Sequence, residues 1–123
     1  NDILKAQGQE PVCSRHFRPN IVVGLTQKRR RMSHHVNVED CWKSVELEEQ
    51  GVKLDVAGPC ARCSMVDVDP SNGMKGKTLR ALAEYRRSNG QITFGIFLHG
   101  EEPKKAKGSE WEWIHEGDIL SCR

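Results

Sequence analysis

Thr78-Leu79-Arg80-Ala81-Leu82-Ala83-Glu84-Tyr85-Arg86-Arg87-Ser88-Asn89-Gly90-Gln91-Ile92-Thr93-Phe94-Gly95-Ile96-Phe97-Leu98 changes its hydrophobic period halfway along. Leu79, Leu82, Ala83 and Tyr85 or Arg86 recur at helical spacing, whereas Ile92, Phe94, Ile96 and Leu98 alternate as in a half-buried strand. Thr78 is the expected N-cap. Asn89-Gly90 supplies the stop, with Gly90 suited to a left-handed C′ position. The spacing predicts a helix over about residues 78–89 and a strand over 92–98, with Leu79 and Leu82 buried against that strand.

The flanking segments read as short strands and turns. Val52, Leu54 and Val56 hold a period of two, broken by Gly58-Pro59, and Glu48 to Gly51 is a turn. Cys41 to Leu47 alternates loosely through Trp42, Val45 and Leu47. Ser64 to Val68 reads as a strand ended by the turn residues Asp69-Pro70-Ser71-Asn72-Gly73. Arg15 to Val23 reads as a strand, and Pro19 inside it implies an edge or a bulge. Residues 1–14 are a polar lead-in ending at Glu10-Pro11. Downstream, Glu101 to Glu110 is a charged loop, Trp111, Trp113 and Ile114 make a short strand, and the chain closes on Gly117-Asp118-Ile119-Leu120. Several short strands around one principal helix predict a mainly β, β-barrel-like fold.

The 123 residues allow one domain, expected over 15–123, and Leu, Ile, Val and Phe (27 residues together) allow one modest core. Net charge is +2, too balanced to predict a nucleic-acid partner. The basic residues are nonetheless concentrated: Arg15, Arg18, Lys28, Arg29, Arg30 and Arg31 lie beside His16, His34 and His35, most of them in a basic loop over 24–37. That cluster suits a local anion site better than a nucleic-acid stripe. No run of about 20 apolar residues is present, so no membrane span is expected. The chain opens on Asn1-Asp2-Ile3-Leu4-Lys5 without an initiator Met, as expected of a piece of a longer chain. Five cysteines at irregular spacing argue for reduced thiols and a cytoplasmic setting rather than a disulfide framework.

Two motifs carry chemistry. In Gly58-Pro59-Cys60-Ala61-Arg62-Cys63, an Arg between two thiols favours thiolate, the form that attacks electrophiles and binds metals. Three readings stay open: two packed structural cysteines; a tetrahedral zinc set of Cys13, His16, Cys60 and Cys63; or a soft-metal or sulfur-transfer site using one of the pair. In Phe17-Arg18-Pro19-Asn20, Arg18 offers a planar fork for phosphate or carboxylate and Asn20 a donor and an acceptor for a heterocycle edge. The plainer reading is a surface Arg and a strand-ending Asn.

These motifs in this order, with Glu39-Asp40-Cys41-Trp42 between them and Asp69-Pro70-Ser71-Asn72-Gly73 after, resemble the C-terminal part of the MOSC domain family. Leu79-Arg80-Ala81-Leu82 with Tyr85-Arg86, Phe94-Gly95-Ile96-Phe97 and Glu116-Gly117-Asp118 extend the resemblance over about residues 15–120. Within the family, Gly58-Pro59 before Cys60 leans towards the molybdenum cofactor sulfurase branch. The resemblance implies a β-barrel-like fold holding a molybdopterin-type molybdenum cofactor. It implies a place behind a pyridoxal-phosphate cysteine desulfurase in one longer parent chain. The persulfide made there supplies terminal sulfur for the cofactor of xanthine dehydrogenase and aldehyde oxidase. A sister branch, the amidoxime-reducing type, uses the module as a molybdenum oxidoreductase. There the second cysteine of the pair coordinates molybdenum, a position that corresponds to Cys63. Arg18, Asn20 and Arg62 are then expected to bind the pterin and its phosphate, and Cys63 to be the thiolate nearest the molybdenum.

Overall fold

Strong period-two patterning at 52–56 and 92–98 produces the two longest strands among the described residues. The computed structural model describes residues 1–24, 37–100 and 114–123. Their elements are helix α1 (Asp2–Ala6), strands β1 (Ser44–Leu47) and β2 (Val52–Ala61), helix α2 (Thr78–Arg86), and strands β3 (Arg87–Ser88), β4 (Gln91–Gly100) and β5 (Leu120–Cys122). Short 3-10 turns cover Ser14–Phe17, Val38–Cys41 and Ser64–Asp67. The fold is mainly β with one main helix, as the sequence predicts. The strands are hydrogen-bonded in the order β3-β4-β2-β1-β5. Among the described residues this sheet is open and does not close into a barrel. The basic loop over 24–37, the loop over 101–110 and the Trp111–Trp113 segment lie wholly or almost wholly outside the described residues.

The described residues form two compact units, one of 1–24 and 60–94, the other of 37–59, 95–100 and 114–123. In the second, β1 pairs antiparallel with β2, Ser44 to Leu47 against Asp55 to Val52, and with β5, Val45 opposite Cys122. Val45 and Leu47 point inward and are its fully buried side chains. Lys53 and Asp55 share the outward face of β2 and form an exposed ion pair of 3.3 Å, which adds little to stability.

Gly58-Pro59 does not break β2, which runs on to Ala61. Direct β1 pairing ends at Asp55, and the last bond on that side is Val56 N–H to the Lys43 carbonyl. Pro59, which has no N–H, therefore falls beyond the stretch that β1 pairs. Gly58 adopts φ 147°, a conformation L side chains rarely take.

In the first unit, Leu4, Val66, Ala81 and Leu82 are buried, so the residues read as a lead-in contribute an apolar side chain from a short helix. Helix α2 packs mainly against the Ser64–Asp67 turn, α1 and β3 rather than the strand at 92–98, and Leu79 is only half-buried. It ends at Arg86, not at 89. Asn89-Gly90 is instead the two-residue turn between β3 and β4, with φ 48° and 77°. Asn-Gly favours hairpin turns because both residues accept positive φ. Thr78 is the first helical residue and buried, not the cap. The cap comes from elsewhere: Asp67 Oδ1 accepts the Leu79 N–H at 2.7 Å.

Neither Arg15 to Val23 nor Ser64 to Val68 is a strand; each starts with a 3-10 turn. Ile21-Val22-Val23 is a run rather than an alternation, and Val22 is 67% exposed. Arg18 ends its turn at φ 48°, a left-handed conformation incompatible with an extended chain.

Replacing Asp67 with Ala is expected to cost about 0.5–2 kcal/mol, the range for loss of a helix cap. Asp67→Asn is expected to keep most of it, because the amide oxygen still accepts. Urea denaturation of the two variants checks this.

Candidate functional site

Every site residue predicted from the sequence lies in the first unit. Two 3-10 turns of like construction form its centre. Cys13 precedes Ser14–Phe17, and Cys63 precedes Ser64–Asp67. The two turns pack against each other, and Arg18 clips them together: its Nη1 donates to the Met65 carbonyl at 2.8 Å and to the His16 carbonyl at 3.4 Å.

Arg62 is committed differently from the sequence expectation. Its Nε donates to the Phe94 carbonyl and its Nη1 to the Phe17 carbonyl, both at 2.8 Å. Its backbone N–H donates to the Ile92 carbonyl at 2.7 Å. Its guanidinium carbon also sits 5.7 Å from the centre of the Phe17 ring, which packs on Phe94 with centroids 4.5 Å apart. Rather than pointing both arms at an anion, Arg62 ties the first turn to β4. Charge-assisted bonds of this kind are among the strong ones.

The two cysteines of the pair differ. Cys60 continues the inward register of Val52, Leu54, Val56 and Gly58 on β2 and is half-buried, with its thiol 3.8 Å from the Ala61 carbonyl. Cys63 lies past the strand end and is exposed. Cys13, Cys41, Cys60 and Cys63 are free thiols. Of the four residues of the zinc set, the structure pairs Cys13 and His16, with Sγ 3.7 Å from Nδ1. Among the described residues no three His, Cys, Asp or Glu side chains converge to hold a metal ion, so the four do not assemble. Asn20 is exposed beyond Arg18.

The segment Asp69 to Met74 folds on its own side chains. Asp69 Oδ1 accepts from the Ser71 N–H at 2.8 Å and the Ser71 hydroxyl at 2.6 Å, and Oδ2 accepts from Asn72 Nδ2 at 3.2 Å. Asn72 Oδ1 in turn accepts the Met74 N–H at 2.8 Å. The Ser71 hydroxyl and N–H hold the Asp69 carboxyl below its ordinary value; burial opposes them, and the charge of His16 and the bond from Asn72 add lesser lowering. The sequence marked this stretch as a turn, and its side chains make the turn's own hydrogen bonds.

Arg62→Ala is expected to cost about 1.5–3 kcal/mol for each charged hydrogen bond lost, with Arg62→Lys recovering part of it; denaturant midpoints read both. A carboxyl with a lowered folded value stabilises the fold above its unfolded value and loses that contribution as pH falls through the folded one. The Ser71 amide resonance is therefore expected to titrate at a lower pH than an unperturbed aspartate does. A midpoint at or above the unperturbed one contradicts the assignment.

The MOSC domain family profile matches residues 1–121. A molybdenum cofactor sulfurase of Aspergillus clavatus is 43% identical over 82 residues, 64% of this chain and 10% of the relative. A molybdenum cofactor sulfurase of Aspergillus niger is 33% identical over 114 residues, covering 92% of this chain and 14% of the relative. One of Solanum lycopersicum is 33% identical over 103 residues, 81% of this chain and 11% of the relative. The chain thus spans only about a tenth to a seventh of the length of these curated relatives. A match along nearly all its residues, on a mainly β fold with one main helix, places the chain in the MOSC domain family.

Proposed function

We propose that this domain is the cofactor-binding, sulfur-transfer module of a molybdenum cofactor sulfurase. In this reading it holds a molybdopterin-type molybdenum cofactor and helps deliver terminal sulfur to the cofactor of xanthine dehydrogenase and aldehyde oxidase. The observation that carries the reading is the exposed Cys63 thiol at the head of the turn to which Arg18 is bonded. A cofactor that joins a sulfur-ligated metal to a phosphate needs an accessible soft donor and an accessible cation. Cys63 and Arg18 are both exposed, and among the described residues Arg18 bonds through Nη1. The donor set therefore fits, with Arg62 as the bracket that positions the turn rather than a contact to phosphate.

When bound, the cofactor supplies the molybdenum that takes up the sulfur. Cys63 would offer its sulfur to that metal, Arg18 a guanidinium to the phosphate, and Asn20 a donor and an acceptor to the pterin edge. Cys60, held in β2, keeps the strand end in register. The names of the relatives support the sulfurase branch. A desulfurase domain carrying pyridoxal phosphate belongs, in this reading, to the same parent chain and supplies the persulfide. Reduced thiols fit a cytoplasmic protein. Among the described residues no helix is long and apolar enough to cross a membrane.

The test is made in the full-length parent. Cys63→Ser is expected to keep its circular dichroism spectrum and lose activation of desulfo acceptor enzyme, whereas Cys60→Ser is milder. Arg18→Ala is expected to weaken pterin retention by about 1.5–3 kcal/mol, the scale of hydrogen bonds to charged groups, and Arg18→Lys to restore it poorly. Full activity in Cys63→Ser removes Cys63 from the mechanism and the reading with it.

A further inference from the structure

We propose that Cys13 and His16 form a second nucleophilic thiol site, one that accepts the sulfane sulfur of a persulfide. The substrate class rests on the sulfur-transfer reading above; the reactivity of the thiol does not.

The two 3-10 turns make an internal comparison. Cys13-Ser14-Arg15-His16 and Cys63-Ser64-Met65-Val66 share their first two residues and their geometry. Each cysteine is extended ahead of its turn, at φ −98°, ψ 171° and φ −113°, ψ −179°. Each carbonyl accepts the N–H three residues on, at 3.2 Å in both. Each thiol is exposed and each fourth residue buried, His16 at 7% and Val66 at 3% exposure. They differ in what the buried fourth residue offers the thiol. Val66 offers only methyl groups, whereas His16 turns Nδ1 to within 3.7 Å of Cys13 Sγ. A buried imidazole is expected to be hydrogen-bonded, and here the thiol is its polar neighbour.

A thiol is activated by an adjacent base that removes its proton on attack. His16 Nδ1 takes the Cys13 proton, and the sulfur attacks the terminal sulfur of a persulfide R–S–S–H. The new Cys13 S–S bond forms as the donor S–S bond breaks. The electron pair leaves on the donor thiolate, which takes the proton back from His16. The products are R–SH and a persulfide on Cys13, with no net oxidant or reductant.

The experiment treats the full-length protein with limiting iodoacetamide and follows each cysteine peptide by mass spectrometry. Cys13 is expected to alkylate about tenfold faster than Cys63, short of the ~100-fold or more of a preorganised catalytic base because the pair is only part-buried. His16→Val, which copies the Cys63 turn, is expected to bring Cys13 down to the Cys63 rate with an unchanged circular dichroism spectrum. Should that variant not fold, the wild-type ratio decides. Equal rates at Cys13 and Cys63 overturn the proposal. Glutathione persulfide is the second probe, and the added sulfur is expected on the Cys13 peptide; sulfur found on Cys63 alone overturns the assignment as a persulfide acceptor. Failure of the Cys63→Ser test in the parent would remove the sulfurase reading while leaving the alkylation ratio intact, so the two are told apart.

Discussion

The candidate site depends on the Arg62 guanidinium. Its Nε and Nη1 reach carbonyls on two chain segments far apart in sequence, Phe94 on β4 and Phe17 at the end of the first 3-10 turn. A carbonyl at a turn end has lost its helical partner, and leaving it unmet away from water costs more than a bond adds. One side chain meets both carbonyls. The Phe17 ring stacks on Phe94 and lies within reach of the same cation. With Phe17 held, the Ser14–Phe17 turn is fixed, and with it Cys13, His16 and Arg18. Arg18 then reaches Met65 and fixes the second turn, the one that Cys63 heads. Position passes from one arginine to the next, and the exposed thiols inherit it.

The same logic divides the Cys-x-x-Cys pair. A strand alternates its side chains with a period of two, so Cys60 shares the inward register of Val56 and Gly58 and is half-buried. Three residues further on, the strand has ended and Cys63 faces solvent. The spacing that looks like a metal clip is here a strand residue followed by a turn residue, and the two thiols need not act alike. Cys13 follows the second pattern without the first, at the head of a turn but with a buried imidazole beneath it.

Two carboxylates in this unit order the chain that follows the second turn. Asp67 caps α2 from the preceding turn, and Asp69 gathers the donors of Ser71 and Asn72. Together they reinforce the connection between the Ser64–Asp67 turn and α2, which the antiparallel bridge of Val68 with Lys75 also holds. The Asp69 carboxyl titrates below its ordinary value because those donors favour its charged form.

By itself the sequence determined the period-two strands around Val52–Val56 and Ile92–Leu98, the position of the main helix, the turns at 48–51 and 69–73, and the family. Those follow from local periodicity, turn chemistry and ordered motifs, which act within a few residues. Tertiary structure decided the rest. Gly58-Pro59 looked like a strand end because proline lacks an N–H; whether that matters depends on a partner strand, and β1 stops short of it. Asn89-Gly90 suited a helix stop and a hairpin equally, since both want positive φ, and the pairing of Arg87 with Ile92 chose the hairpin. Arg62 read as an anion ligand because its charge is visible in sequence while its distant carbonyl partners are not. His16 suited a metal ligand by spacing, and only the tertiary structure shows it buried with Nδ1 turned to Cys13.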